Sequence, residues 1–181
     1  MTSSRTSSPD SLCTGAHLEL VQVGNWEFAR RARGTGVVGV AAMTLNREVL
    51  LVEQHRPPLG GAVVELPAGL IGDEHKETAL QAARRELLEE TGFTAPISHF
   101  EWVMRGPSSA GLTNELVEIV RARGLVQQST GGGVGDERIT VHRVPLDDLN
   151  DWIQDRDTDR VLVDFKVRLL PHLLSSEEAR P

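Results

Sequence analysis

Three glutamates, Glu86, Glu89 and Glu90, fall within the stretch TALQAARRELLEET, residues 78 to 91. At about 100° per residue a helix would place them within roughly 100° of one another. Like charges so close repel. They are stable either solvated or gathered around a cation, and hard oxygen ligands at this density suit Mg²⁺ or Mn²⁺. The plainer reading is a solvated acidic face paired with Arg84 and Arg85. On these residues alone both readings stay open.

The helix that would position these groups has clear ends. Thr78 and Gln81 fit a capping box. Gly92 follows the last periodic residue, where a left-handed cap favours glycine. Leu80 and Leu87 lie on an adjacent arc suited to a core. Ala79, Ala82 and Ala83, on or beside the acidic arc, let other groups approach closely.

The remaining elements read mainly as strands. HLELVQV alternates, with Leu18, Leu20 and Val23 as inward positions, and Gly24-Asn25 turns the chain into a second strand from Trp26 to Arg33. Residues 37 to 45 and 48 to 54 form two apolar runs around a polar turn, expected as a hairpin buried on both faces. AVVELPAGLI starts as a strand, and further strands are expected near 98–104, 115–122 and 138–144. GGGVG at 131 to 135 reads as a flexible loop with little to pack. From Leu146 onward LDDLNDWI and RVLVDFKVRLLPHLL read as helical. Several strands with two or three helices imply an α/β (α+β) domain whose mixed sheet is covered on both faces. Residues 1–15, rich in Ser, Thr and Pro, are expected as a disordered tail before a single domain spanning 16–175.

Bulk properties exclude several classes. The 181 residues suffice for one domain with a core. A net charge of -7 disfavours a broad nucleic-acid surface, which needs a basic stripe. The single cysteine, Cys13, cannot form an internal disulfide. No apolar run approaches the roughly 20 residues of a membrane helix. The expectation is a cytoplasmic protein with no membrane or nucleic-acid partner. His55, His75, His99 and His142 lack the paired spacing of a zinc site.

The segment GLIGDEHKETALQAARRELLEETGF, residues 69 to 93, resembles the signature of the Nudix hydrolases. That signature has a glycine, five residues, a glutamate, seven residues, then R-E-apolar-x-E-E-x-G-apolar. Arg85, Glu86, Leu87, Glu89, Glu90, Gly92 and Phe93 match its second half, and Glu77 lies eight residues before Arg85. Gly69 lies eight residues before Glu77 instead of six, an insertion that leaves the leading glycine's role open. EQHRPPLGGAVVELPAGLI is similar to the ADP-ribose pyrophosphatase branch, which has Q-x-R-P one strand before E-L-P-A-G-x-I/V. GPSSAGLTNE, residues 106 to 115, is similar to that branch's S-P-G-x-x-x-E loop, with Ala110 where proline is usual.

The resemblance implies a Nudix-type α/β/α sandwich and Mg²⁺ as cofactor, with Mn²⁺ as a substitute. It implies Glu86, Glu89, Glu90 and the Ala68 carbonyl as metal ligands. Arg85 would orient a carboxylate, and Glu89 would bridge as well as ligate. Glu137, with Asp136 in reserve, would be the general base on a loop that can swing in with substrate. Arg56, Trp26 and Glu115 would bind substrate; an arginine fits a diphosphate because it is a permanent multi-donor charge. For Trp26 the rival role is core or dimer packing. For Arg56 and Glu137 the rivals are a strand-end arginine and a solvated turn. The implied substrate is a small nucleoside diphosphate, ADP-ribose first. Other nucleotide sugars, dinucleoside polyphosphates, oxidised nucleotides and a non-catalytic nucleotide sensor are alternatives. Residues 16–35 are expected to form an N-terminal sheet used in a homodimer.

Overall fold

The computed structural model describes residues 9–33, 36–72, 76–135 and 137–175. In chain order the elements are β1 (Asp10–Thr14), β2 (Leu18–Val23), β3 (Trp26–Arg31), β4 (Gly36–Thr44), β5 (Glu48–Arg56), β6 (Gly61–Glu65) and β7 (Ala68–Ile71). Then come α1 (Ala79–Thr91), β8 (Phe93–Thr94), β9 (Phe100–Pro107), β10 (Leu116–Gln127), β11 (Thr140–Pro145), α2 (Leu149–Arg156), β12 (Val161–Val163) and α3 (Leu170–Ser175).

Strand β4 is the centre of a nine-stranded mixed sheet. It pairs parallel with β10 and antiparallel with β7 and β5. Its apolar run serves two cores because alternate side chains point to opposite faces. Val38, Val40 and Ala42 pack toward α1, with Leu50, Ala82, Ala83, Leu87 and Val120. Ala41 and Met43 pack toward α2 and α3, with Leu51, Leu149, Ile153 and Leu170. The arrangement is α/β/α, as the sequence implied.

The hairpin expected at 37–54 is paired at Met43 and Val49, beside the turn. Beyond it the strands splay. Strand β7 takes the place beside β4, with Gly39 opposite Ala68 and Gly36 opposite Ile71, while β5 pairs with β6. This splay threads Ala68 and Gly69 beneath α1.

Three expectations are corrected. Asp10–Thr14 is a strand paired with β2, not part of a tail, because its backbone groups find partners along that edge; residues 1–8 lie outside the described residues. Leu18 and Leu20 are 52% and 40% exposed, and it is Val21 that is fully buried. Period-two alternation puts Val21 and Val23 on the covered face, so Leu18 and Leu20 face the other way. Val161–Val163 is a strand parallel to β6 where the sequence read as helix. A short Val-Leu-Val run beside an open sheet edge satisfies its backbone there. Among the described residues no helix is long and apolar enough to cross a membrane.

Candidate active site

Helix α1 begins where Thr78 accepts from the Gln81 backbone and Gln81 reaches back to Thr78, the expected capping box. It ends at Gly92, whose φ of 77° closes the helix in the left-handed region. Ala82, Ala83 and Leu87 face the sheet. That register carries the glutamates to the side lying over β7. A Cβ added to Gly69 would stand 1.9 Å from Glu86 Cδ. With glycine at 69 the backbone passes directly under the Glu86 side chain, which would have to move aside for any larger residue there.

Arg85 is the electrostatic hub. Its Nη2 donates to Glu77 Oε1 at 2.9 Å and to the Leu70 carbonyl at 3.3 Å. Its Nη1 donates to Glu86 Oε1 at 2.9 Å and to Glu89 Oε2 at 3.2 Å. The hydrogen bond to Glu77 is the main cause of a raised Arg85 pKa. The charge is permanent, so one fork holds three carboxylates in fixed relation.

Glu86, Glu89, Glu90 and Glu137 meet Ala68, Gly69, Leu70, Arg85 and Val134 around a cavity of about 280 Å³. Glu90 is 6% exposed. Burial, reinforced by the charges of Glu86 and Glu137, pushes its carboxyl up to about 8. The Ala68 N–H, donating to Glu90 Oε2 at 3.0 Å, and the Arg56 charge oppose that rise. Burial also raises Glu86, against Arg85 and with repulsion from Glu89 and Glu137. These are hard oxygen donors whose ionised forms are only partly compensated by Arg85, Ala68 N–H and Arg56, and a cation placed among them would supply the rest. As they stand, no group of three His, Cys, Asp or Glu side chains among the described residues is disposed to hold a metal ion, and Arg85 is drawn across Glu86 and Glu89.

The glycine run expected to be a loose loop is docked instead. Gly132 N donates to the Glu90 carbonyl at 2.8 Å and Gly133 N to the Glu89 carbonyl at 3.1 Å. Helix ends leave such carbonyls without intrahelical partners, and the loop satisfies them. Glu137 reaches the cavity from this loop. Asp136 lies outside the described residues, as does His75.

Arg56 Nε donates to Glu65 Oε2 at 2.7 Å and lies near enough to influence Glu90. Trp26 is 61% exposed on the three-stranded sheet and does not line the cavity. Glu115 is held by Arg31 Nε at 2.5 Å, which ties the 108–115 loop to β3, and it does not line the cavity either. His99 meets the Arg123 carbonyl at 3.3 Å, and His142 Nε2 lies 2.8 Å from Glu53 Oε2. The sequence reading missed a second cavity of about 480 Å³, lined by Gln54, His55, Glu137 and Arg138. Glu137 forms a wall of both. The available signals were the adjacency of Arg138 to Glu137 and the place of Gln54 and His55 in the Q-x-R-P segment.

The sequence profile of the NUDIX domain matches residues 33–165 of this chain, well over half of it. The chain belongs to the Nudix family. It is a Nudix hydrolase whose β1–β3 sheet precedes the matched region. It is 30% identical over 164 residues to a protein of Bacillus methanolicus named methanol dehydrogenase activator, covering 88% of this chain and 83% of that one. It is 32% identical over 146 residues to an ADP-ribose pyrophosphatase of Bacillus subtilis (strain 168), covering 78% and 76%. A solved structure of an ADP compounds hydrolase superposes with a TM-score of 0.70 at 19% identity, over 99% of this chain and 100% of that one, which shows the shared fold.

The raised Glu90 carboxyl gives a stability prediction for the metal-free Nudix hydrolase. Unfolded, the group titrates near 4.5; folded, near 8. Its contribution is fully present below pH 4.5 and is lost as pH rises through about 8. In EDTA at pH 8.5, Glu90→Gln should melt higher than wild type by about 4 °C or more, since about 1 kcal/mol moves a chain of this size by about 2–4 °C. At pH 5 the gap should close. Equal melting temperatures at both pH values would contradict the buried, repelled carboxyl.

Proposed function

We propose that this Nudix hydrolase cleaves the pyrophosphate bond of a nucleoside diphosphate linked to a second group, with ADP-ribose as the leading substrate. The observation that carries the reading is the single cavity in which Glu86, Glu89, Glu90 and Glu137 meet the Ala68–Gly69 backbone. Glu86, Glu89, Glu90 and the Ala68 carbonyl would hold Mg²⁺, or Mn²⁺ in its place. The bound cation supplies neutralisation of diphosphate charge and a lowered pKa for water. Glu137 takes the proton of the attacking water. Arg85 keeps Glu86 and Glu89 aimed. Arg56, released from Glu65, binds the diphosphate. Water adds to one phosphorus and the bridging P–O bond breaks, so ADP-ribose gives AMP and ribose 5-phosphate. The cavity of Gln54, His55 and Arg138 receives a group beyond the diphosphate, because Glu137 separates it from the carboxylate cavity.

Similarity to the pyrophosphatase of Bacillus subtilis supports this substrate. So does 37% identity over 92 residues to an ADP-sugar pyrophosphatase of Mus musculus, covering 50% of this chain and 41% of that one.

We further propose that the protein is a homodimer. Leu18 and Leu20 share a face of the β1–β3 sheet with Cys13 and Ala29, opposite the buried Val21. That apolar face is open in one chain, and a second copy would cover it. Trp26 and Glu115 complete the proposed substrate set from the region of this sheet. Light scattering should give twice the 19.8 kDa chain mass, and Leu20→Glu should halve it. A wild-type value of 19.8 kDa would count against the dimer.

The function is tested by phosphate release in a coupled phosphatase assay on ADP-ribose, GDP-mannose, diadenosine polyphosphates, oxidised nucleotides and NADH, with Mg²⁺ and with EDTA. ADP-ribose should turn over fastest, in Mg²⁺ alone, and Glu86→Gln should lower kcat by roughly 10²-fold or more while the fold melts normally. A faster panel member would overturn the substrate and keep the chemistry. Turnover of none, or a fully active Glu86→Gln, would overturn the reaction.

A further inference from the structure

Three consecutive glycines, Gly131, Gly132 and Gly133, adopt φ of 65°, 109° and 89°. Residues with a Cβ rarely take these values. The run is held by close contact on both sides. A Cβ on Gly131 would stand 2.3 Å from the Thr91 carbonyl carbon and 2.6 Å from Gly92 N. A Cβ on Gly92 would stand 2.2 Å from the Ser129 carbonyl oxygen. Two stretches of backbone therefore touch with no side chain between them.

Hydrogen bonds then fix their register. Gln128 N and Ser129 N donate to the Gly92 carbonyl at 2.8 and 3.1 Å. Gly132 N and Gly133 N donate to Glu90 and Glu89, as described above. One turn of α1 thus faces two ways: its Glu89 and Glu90 side chains line the cavity, and its carbonyls hold the loop.

The loop in turn sets Glu137. Val134 N donates to Glu137 Oε2 at 2.9 Å. A Cβ on Gly133 would stand 2.6 Å from that same oxygen and 2.7 Å from Glu137 Cβ. The Glu137 side chain folds back into space that any other residue at 133 would fill.

We propose that Gly131–Gly133 is a clamp fastening the Glu137 loop to the carboxyl end of α1, and that Gly133 is the positioning residue for Glu137. This rests on the reading of Glu137 given under Proposed function. Its content is that the glycine backbone, Gly133 above all, sets where Glu137 stands beside the cavity.

Hydrogen exchange on the full, metal-free chain tests the clamp. The Gly132 and Gly133 amides should exchange at least about 100-fold slower than an unstructured chain. Exchange at the unstructured rate would overturn it. Kinetics of the Mg²⁺-loaded enzyme test the positioning role. Gly133→Ala and Glu137→Gln should each lower kcat by roughly 30-fold or more with KM changed less than about threefold, and the double variant should be no worse than about threefold below Glu137→Gln. Losses that multiply would show that Gly133→Ala acts elsewhere. Gly135→Asn controls for loop disturbance, because Gly135 has a φ of 67°, which asparagine tolerates, and nothing within 4 Å of its Cβ position. It should retain wild-type kcat, and an equal loss there would overturn the special role of Gly133. Slow exchange with a fully active Glu137→Gln would remove Glu137 from the reaction while the clamp stands.

Discussion

Glu90 is an acid buried beside other acids, and much of the local structure answers that constraint. The helix turn bearing Glu86, Glu89 and Glu90 leans over β7 because Ala82, Ala83 and Leu87, on and beside the same arc, pack against the sheet. Desolvation and repulsion then act together on Glu90 and Glu86. The compensating groups are specific: the Arg85 fork, the Ala68 N–H and the Arg56 charge. Gly69 must lack a side chain for Glu86 to lie where it does. A core built for stability alone would not gather carboxylates this way, and such strain concentrates where chemistry is done.

The fold supports this arrangement through two devices. Splaying of β4 from β5 admits β7, which brings the Ala68 and Gly69 backbone under the helix. The chain after β10 returns to the end of α1 and docks its glycines there. Metal-ligand candidates, backbone and the Glu137 loop therefore share one frame built around a single helix of 13 residues.

The helix itself was legible because its signals are local: the Thr78 capping box, the Gly92 terminus and the 3.6-residue period act within a few turns. The apolar runs of β4 and β5 were equally clear, since burial on both faces leaves no polar alternation. Where tertiary context decides, local pattern misled. Val161–Val163 forms a strand because the β6 edge lies open to it, and Leu18 and Leu20 face away from the core because the sheet is covered from the Val21 side. Asp10–Thr14 pairs by backbone, which its polar composition does not reveal. At the site, the spacing of Glu86, Glu89 and Glu90 gave their shared face. The service of Gly131–Gly133 was hidden, because a glycine run has the same composition whether it is free or clamped. The cavity of Gln54, His55 and Arg138 joins residues from two distant segments, and no spacing rule reaches across them.

The central claim is that the carboxylate face of α1 is a cation site whose repulsion a divalent ion relieves. Thermal melting of the wild-type chain at pH 7.5, with EDTA and then with Mg²⁺ at increasing concentration, tests it most directly. A ligand that binds only the folded state raises the melting temperature progressively as its concentration passes the dissociation constant. The account predicts a saturable rise that Ca²⁺-free, matched-ionic-strength NaCl does not reproduce and that Glu86→Gln weakens. A melting temperature indifferent to Mg²⁺ would contradict it.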